Sequence, residues 1–449
     1  MRPTITIAAA AGFIFSTGFT VNAAADEPMF SSSSRWMTGD WGGLRTELLE
    51  KGYDFQFSYQ SESATNINGG YDHDRAARYT DQFNLGGAID LEKVLGWQDA
   101  NFQLLITERS GRDITNDRLT DPRTGTIGSS VQENYGRGQT WRITTLAYQQ
   151  KFFDDVLDIK VGRLPIGSDF DSTGCVFQNN SLCGGLVGHA STVWFNSPVG
   201  QWGARVKVNF TPEIYAQVGA YEYNPTLLDS NNGFKLNTSG REGTTYVGEV
   251  GWTPALGAAG LAGKYMVGGY WNNATANDVL EDRNGNFKQV SGNSADQLDG
   301  RYGMYAYARQ QITSVDGDSK RGLSLFAHYS QYDKRSSTLD WQAQVGAIYA
   351  GPFDARPQDA VAIGFSELHV NPALSKNQRL HNTVNSLNDY NDPAYQPIQR
   401  AEYAAEIHYD FRLTPWLMVR PNIQYLANPG GVYEVDNATV VGLTVNTVF

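Results

Sequence analysis

The chain is poor in the features that mark most soluble enzymes and metalloproteins. Of 449 residues only two are cysteine, Cys175 and Cys183. Two thiols with no nearby histidine make an incomplete metal site, so in an exported chain the pair reads as one local disulfide that holds a loop. The six histidines (His73, His189, His328, His369, His381 and His408) are scattered without ligand spacing. There is no G-x-S-x-G nucleophile elbow, and no carboxylate pair stands out as that of a glycosidase. Acidic residues outnumber basic ones, 47 to 35, and the net charge of −12 argues against a nucleic-acid partner, which needs a basic face. Long apolar runs are missing too. Beyond residue 25 no stretch of about 18 uncharged apolar residues occurs, which excludes a membrane-spanning helix. It does not exclude a spanning barrel, whose strands show lipid only every second side chain, so that the mean hydropathy of −0.41 is compatible with one.

What the chain has is period-two alternation. Over the last 49 residues, Tyr403, Ala405, Ile407, Tyr409 and Phe411 share one face, and Glu402, Glu406, His408, Asp410 and Arg412 the other. Leu417, Val419, Ile423 and Tyr425 then oppose Arg420, Asn422 and Gln424. Val441, Leu443, Val445 and Phe449 close the series. Such alternation means strands, and runs of about ten residues match tilted strands that cross a bilayer. Sixteen runs of this kind fall at about 53–66, 79–91, 101–110, 139–151, 156–164, 200–210, 213–223, 243–253, 262–272, 300–311, 321–331, 341–351, 360–371, 400–412, 416–427 and 437–449. Tight links such as Thr211-Pro212 and Leu413-Thr414-Pro415 alternate with long polar stretches at 111–138, 165–199, 224–242, 273–299 and 372–399. Connections of that length are out of place inside a compact soluble domain. The expected fold is therefore all-β: a transmembrane antiparallel β-barrel of about 16 strands, with long extracellular loops and short periplasmic turns.

The organisation in front of the barrel is simple. Residues 1–25 read as a signal peptide: Arg2, an apolar stretch, then Val21-Asn22-Ala23-Ala24-Ala25. Residues 26–52 form a mature amino-terminal segment, with a helix expected over about 43–51, capped by Asp40 and ended by Gly52. Residues 53–449 are the barrel. Tryptophans 41, 97, 141, 252, 271, 341 and 416 lie near strand ends, as interfacial girdles require.

Alternation also sorts candidate pore residues. Arg109, Arg205, Lys207, Glu402, Glu406, Arg420, Asn422 and Gln424 fall on polar faces, and Arg142 and Arg163 on strands whose phase is open. Arginine forks and carboxylates suit vicinal hydroxyls, provided that binding stays weak enough for the solute to leave. The substrate-binding candidates are Arg109, Arg205, Glu402, Arg420, Asn422 and Gln424. The loop 165–199, held by Cys175 and Cys183, is the candidate to fold inward and narrow the pore. Asp282-Arg283-Asn284-Gly285-Asn286 departs from a calcium loop in its glycine position, and Gly257–Gly263 lacks the strand–helix context of a nucleotide site.

Several blocks carry a resemblance. WMTGDWGGLRTELLEKGYDF stands at the front, GRLPIGSDFDSTGCVFQNNSLCG and WFNSPVGQWGARVKV in the middle, and YDFRLTPWLMVRPNIQYLANPGG with ATVVGLTVNTVF at the end. From residue 36 onward the chain resembles the carbohydrate-selective porins of Gram-negative bacteria (OprB type). The usual PDxQY block of that family stands here as Pro421-Asn422-Ile423-Gln424-Tyr425, with a carboxylate lost. The resemblance implies an outer-membrane porin for passive sugar diffusion, without catalysis, cofactor or metal. The expected partners are small sugars, outer-membrane lipid and the barrel-assembly machinery, with monomer and homo-trimer both left open. The alternatives are a general or non-sugar porin and, in a different class, an exported β-rich polysaccharide-binding protein or enzyme.

Overall fold

The computed structural model describes residues 27–449, so the expected signal peptide lies outside the described residues. Sixteen strands form the wall: β1 (Tyr53–Gly70), β2 (Ala77–Asp90), β3 (Ala100–Gly111), β4 (Trp141–Phe152), β5 (Leu157–Leu164), β6 (Gln201–Asn209), β7 (Ile214–Tyr223) and β8 (Gly243–Trp252), then β9 (Leu261–Asn272), β10 (Arg301–Gln311), β11 (Gly322–Tyr332), β12 (Leu339–Ala350), β13 (Ala360–Val370), β14 (Ala401–Thr414), β15 (Leu417–Ala427) and β16 (Asp436–Val448). Each pairs antiparallel with the next, and β16 returns to β1 with Ser58 opposite Val448 and Thr65 opposite Val441. The ring is closed, so among the described residues none of the sixteen wall strands has an unpaired edge.

Alternation fixes what faces where. On β14, Glu402, Ala404, Glu406, His408 and Asp410 are buried inside, while Tyr403, Ile407 and Phe411 face out. Outward Val218 and Val267 are 60% and 64% exposed. With Val206, Val250, Phe365 and Ile423 they form an apolar belt that would be a liability in water and is expected against lipid. Aromatic pairs edge this belt at both rims: Trp252 stacks on Tyr265 at 5.2 Å by the turns, and Trp271 on Tyr246 at 5.6 Å by the loops.

One rim carries short connections, among them 153–156, 210–213 and 415–416; the other carries the long ones, 112–140, 165–200, 224–242, 273–300 and 371–400. The long loops hold regular structure that alternation does not reveal. A helix runs over Pro372–Val384, its start set by Asn371, whose side chain accepts from Ala373 N at 3.0 Å ahead of Pro372. A hairpin pairs Ala276–Asp282 with Ala295–Leu298.

The segment before β1 closes the seam. Its helix spans Leu44–Glu50, and the residue at its N-cap is Gly43 at φ 88°, not Asp40. The Asp40 carboxylate instead accepts from Thr46 N and Thr46 Oγ1, both at 2.8 Å. Arg45 is buried, stacked 4.0 Å over Trp36 and 5.0 Å over Trp41. Its guanidinium donates to the carbonyls of Phe449 (2.6 Å) and Phe55 (2.8 Å), so one side chain ties β1 to the residue after β16.

The hydrophobic core lies inside the barrel. Phe170, Val187, Trp194 and Phe195 of the 165–200 loop pack on Tyr221, Tyr270 and Tyr305 of the wall. Phe177 and Leu182 pack on Met266, Tyr307 and Phe326. Ile114, Leu119 and Val131 of the 112–140 loop pack on Ala64, Leu426 and Val440. Sixteen strands enclose a lumen too wide for side chains alone to fill, and these two inward loops occupy part of it.

Candidate functional site

The loops leave one large channel, a cavity of about 1090 Å³ that follows the β3–β9 side of the wall. The narrowing elements are the loops 112–140 and 165–200. A disulfide joins Cys175 to Cys183, and both line the cavity. One Glu133 carboxylate oxygen lies within 4.8 Å of both sulfurs. The first loop brings Glu133, Tyr135 and Arg137 to this point and the second brings His189 and Asn196.

Arg109 holds the constriction together. It stands two residues before the loop end of β3 and is 5% exposed. Its Nε donates to Gln82 (2.7 Å), one terminal nitrogen to the carbonyls of Glu133 (3.1 Å) and Tyr135 (3.3 Å), and the other to the Glu133 carboxylate (3.0 Å). A single guanidinium thus fixes both the loop backbone and the orientation of its acid. Arg137 differs. It donates to Gly188 O at 2.6 Å, and among the described residues no carboxylate lies within ion-pair distance. Burial, with Arg137, His328 and Arg109 nearby, pushes the His189 imidazole down to about 3. That ring is neutral at physiological pH, and its Nδ1 has no hydrogen-bond partner among the described residues. The aperture therefore offers guanidinium donors, a carboxylate acceptor and a neutral imidazole, the complement of a polyhydroxylated solute.

The six candidate residues divide. Arg109 and Arg205 line the cavity. Arg205 pairs with Asp158 at 3.0 Å and 3.2 Å on the facing strand. Glu402, Arg420, Asn422 and Gln424 are buried on the inner side of the wall but absent from the cavity lining. Asn422 Nδ2 donates to Gln178 Oε1 (2.7 Å), and Gln424 accepts from Asn179 Nδ2 (2.9 Å) and donates to Val131 O (3.1 Å). Beside them Glu406 accepts from the backbone of Gln178 (3.0 Å) and Asn179 (2.7 Å). Glu402 accepts from Gly430 N at 2.7 Å, and Arg420 pairs with Asp410. Glu406, Asn422 and Gln424 thus fasten the constriction loops to the wall, Glu402 holds the 428–435 loop, and Arg420 stays within the wall. The amide at Asn422 suits that task, since a carboxylate there would set an acceptor against the Gln178 oxygen. Arg142 likewise holds carbonyls of the 224–242 loop, Leu227 and Leu228, at 2.5 Å and 2.8 Å.

Glu133 and Arg137 were not legible from the sequence. They sit in Gln132-Glu133-Asn134-Tyr135-Gly136-Arg137, a polar loop stretch without periodicity, and only the carbonyl bonds from Arg109 reveal where it lies.

Comparison with known proteins agrees with this architecture. The description "carbohydrate-selective porin, OprB family" matches residues 74–449. Porin B of Pseudomonas aeruginosa is 51% identical over 421 residues, 94% of this chain and 92% of its own length. The putative porin QuiX of Acinetobacter baylyi is 37% identical over 427 residues, 94% of each chain. The high-pH structure of Pseudomonas putida OprB superposes with a TM-score of 0.92 at 50% identity, over 94% of this chain and 100% of that one. With a family match across most of its length, a closed sixteen-stranded wall and a loop-narrowed lumen, the chain belongs to the carbohydrate-selective OprB porin family.

Proposed function

We propose that sugar passage is governed by the Arg109–Glu133–Arg137 aperture of this outer-membrane, carbohydrate-selective porin. The observation that carries the proposal is the pairing at the narrowed lumen of a fixed Arg109–Glu133 donor and acceptor with an Arg137 that has no carboxylate within ion-pair distance among the described residues. A hydroxylated ring exchanges its water for these groups and leaves again, because each contact replaces a hydrogen bond of similar strength. Family membership makes this a channel rather than an enzyme. Of the candidate residues, Arg109 and Arg205 act from the lining, whereas Glu402, Asn422 and Gln424 act through the loops that they anchor, and Arg420 through its pair with Asp410 on the wall.

The same reading extends to lipid around the apolar belt, to the barrel-assembly machinery, and to removal of residues 1–25 on export. A homo-trimer would multiply pores without completing one, since a single chain encloses the channel. The test is single-channel conductance with rising glucose. The wild type should show concentration-dependent block, and Glu133→Gln and Arg137→Gln should each weaken it. Unaltered block in both variants would place the sugar contacts elsewhere.

A further inference from the structure

Arg137 reaches the aperture from one loop and is held there by the other. Its carbonyl accepts from Arg142 Nε at 2.8 Å, which fixes its backbone, and its own guanidinium donates to Gly188 O at 2.6 Å. Gly188 lies in a single helical turn, Val187–Ala190, that also carries His189. Whatever sets the place of that turn therefore sets where the Arg137 donors point.

Asp171 holds the turn, and it is itself fully buried. One of its carboxylate oxygens accepts from Val187 N at 3.1 Å, and the other lies 2.6 Å from His328 Nε2. His328 is buried on β11, and Gln344 Nε2 of β12 lies 3.1 Å from its Nδ1. An amide nitrogen only donates, so Nδ1 accepts and the ring proton on Nε2 faces Asp171. The backbone of Asp171 is tied as well. Its N–H donates to Glu249 Oε2 of β8 at 2.9 Å, and Glu249 in turn accepts from Tyr215 Oη (2.9 Å), Gln217 Nε2 (2.8 Å) and Tyr305 Oη (2.7 Å). Asp171 takes a left-handed backbone at φ 50°, which aspartate and asparagine enter more readily than most residues. Neither Asp171 nor His328 lines the channel. Burying a carboxylate and an imidazole is costly, and here their hydrogen bonds join wall to loop and not protein to solute. In the closed ring of sixteen, β11 stands eight places from β3, on the side opposite Arg109.

We propose that His328 and Asp171 are positioning residues for sugar recognition, the middle of a brace that runs from Gln344 through His328, Asp171, Val187 and Gly188 to Arg137. The brace carries the position of the opposite wall to the guanidinium in the aperture. The proposal rests on the aperture reading above and names what sets its geometry. Loss of the His328 donor leaves one oxygen of a buried carboxylate without its partner. The turn then shifts to supply another donor, and Gly188 O moves away from Arg137. The wall and the disulfide-joined loop remain, and what changes is the fit of the Arg137 donors to a sugar hydroxyl.

The experiment is single-channel recording with the full-length protein in planar bilayers, reading both the sugar-free conductance and the glucose concentration that gives half-block. His328→Leu should raise the half-block concentration about tenfold, the worth of one hydrogen bond to a charged group, at a sugar-free conductance near that of the wild type. His328→Gln places an amide donor where Nε2 stands and should restore the wild-type value, which separates the bond from folding. Asp171→Asn keeps the backbone preference but sets its amide against either the ring proton or Val187 N. It should behave as His328→Leu does, and it serves as the second variant if that one fails to insert. In Arg137→Gln the half-block concentration is already raised, and adding His328→Leu should move it no further. Wild-type block in His328→Leu and Asp171→Asn, with weakened block in Arg137→Gln, overturns the brace and leaves the aperture standing. So does full additivity of His328→Leu with Arg137→Gln, or a failure of His328→Gln to restore block. A change in sugar-free conductance as large as that in block would make the pair a general support of the loop and overturn its part in recognition. Wild-type block in Arg137→Gln removes the aperture reading and the brace with it.

Discussion

At the scale of single residues, alternation says which side of the wall a side chain takes, and packing decides what it then does. Val218 and Lys207 illustrate the first part. Val218→Arg puts a charge in the apolar belt and should cost about 2–4 kcal/mol if the site lies near the midplane, whereas Lys207→Gln should cost far less. Urea unfolding in lipid vesicles measures both, and equal costs would overturn the inside–outside assignment. Asn422 and Gln424 illustrate the second part. Their polar face was legible, but the loops that they hold are brought there by contacts more than 200 residues apart in sequence, such as Asn179 with Gln424. No local pattern encodes such contacts, which is why Arg109 and Arg205 could not be told apart from the residues outside the channel lining, and why Glu133 and Arg137 passed unnoticed.

At the scale of elements, each of the sixteen strands was legible because each repeats the same two-residue rule. The helix over Pro372–Val384 and the hairpin over 276–298 were not, being short elements inside polar stretches. Two element-level contacts are open to test. Arg45→Ala removes a charged donor from two carbonyls at the β1–β16 seam and should lower the unfolding free energy by about 1.5–3 kcal/mol, since hydrogen bonds to charged groups carry that much. A wild-type unfolding midpoint on gels and in urea would deny the clasp a structural role.

The second contact joins loop to loop. Arg123 donates to Asp121 at 3.0 Å and 2.7 Å and to the carbonyl of Tyr390 at 2.7 Å, while Tyr390 Oη donates to Asp121 at 2.6 Å. Burial alone would raise the Asp121 carboxyl, but the hydrogen bonds from Arg123 and Tyr390 outweigh it and hold the group below the usual carboxylate range. The stability gained is therefore present above the unfolded value of about 3.9 and is lost as pH falls from there through the lower folded value. The protection of amides in the 371–400 loop, taken relative to their intrinsic exchange rate at each pH, should fall below about pH 4 in the wild type. In Asp121→Asn it should be low already at neutral pH. A protected Asp121→Asn loop at neutral pH would show that the carboxylate does not hold the two loops together.

At the scale of the whole molecule, the fold inverts the usual arrangement. The outer surface is apolar, and the hydrophobic core is formed where two loops press against the inner wall. The channel is what those loops leave free, about 1090 Å³ along one side, so its width is set by loop packing and not by strand number. Size selection follows: a monosaccharide should pass and longer oligomers should be held back at the constriction lined by Arg109, Glu133 and Arg137. The most direct measurement is liposome swelling with the wild-type protein in an isosmotic series of neutral sugars, from pentose to trisaccharide. Fast swelling with monosaccharides, falling steeply toward the trisaccharide, is the predicted result. Absence of sugar-driven swelling, or swelling at the same rate across the series, would contradict a sugar pore narrowed by these loops.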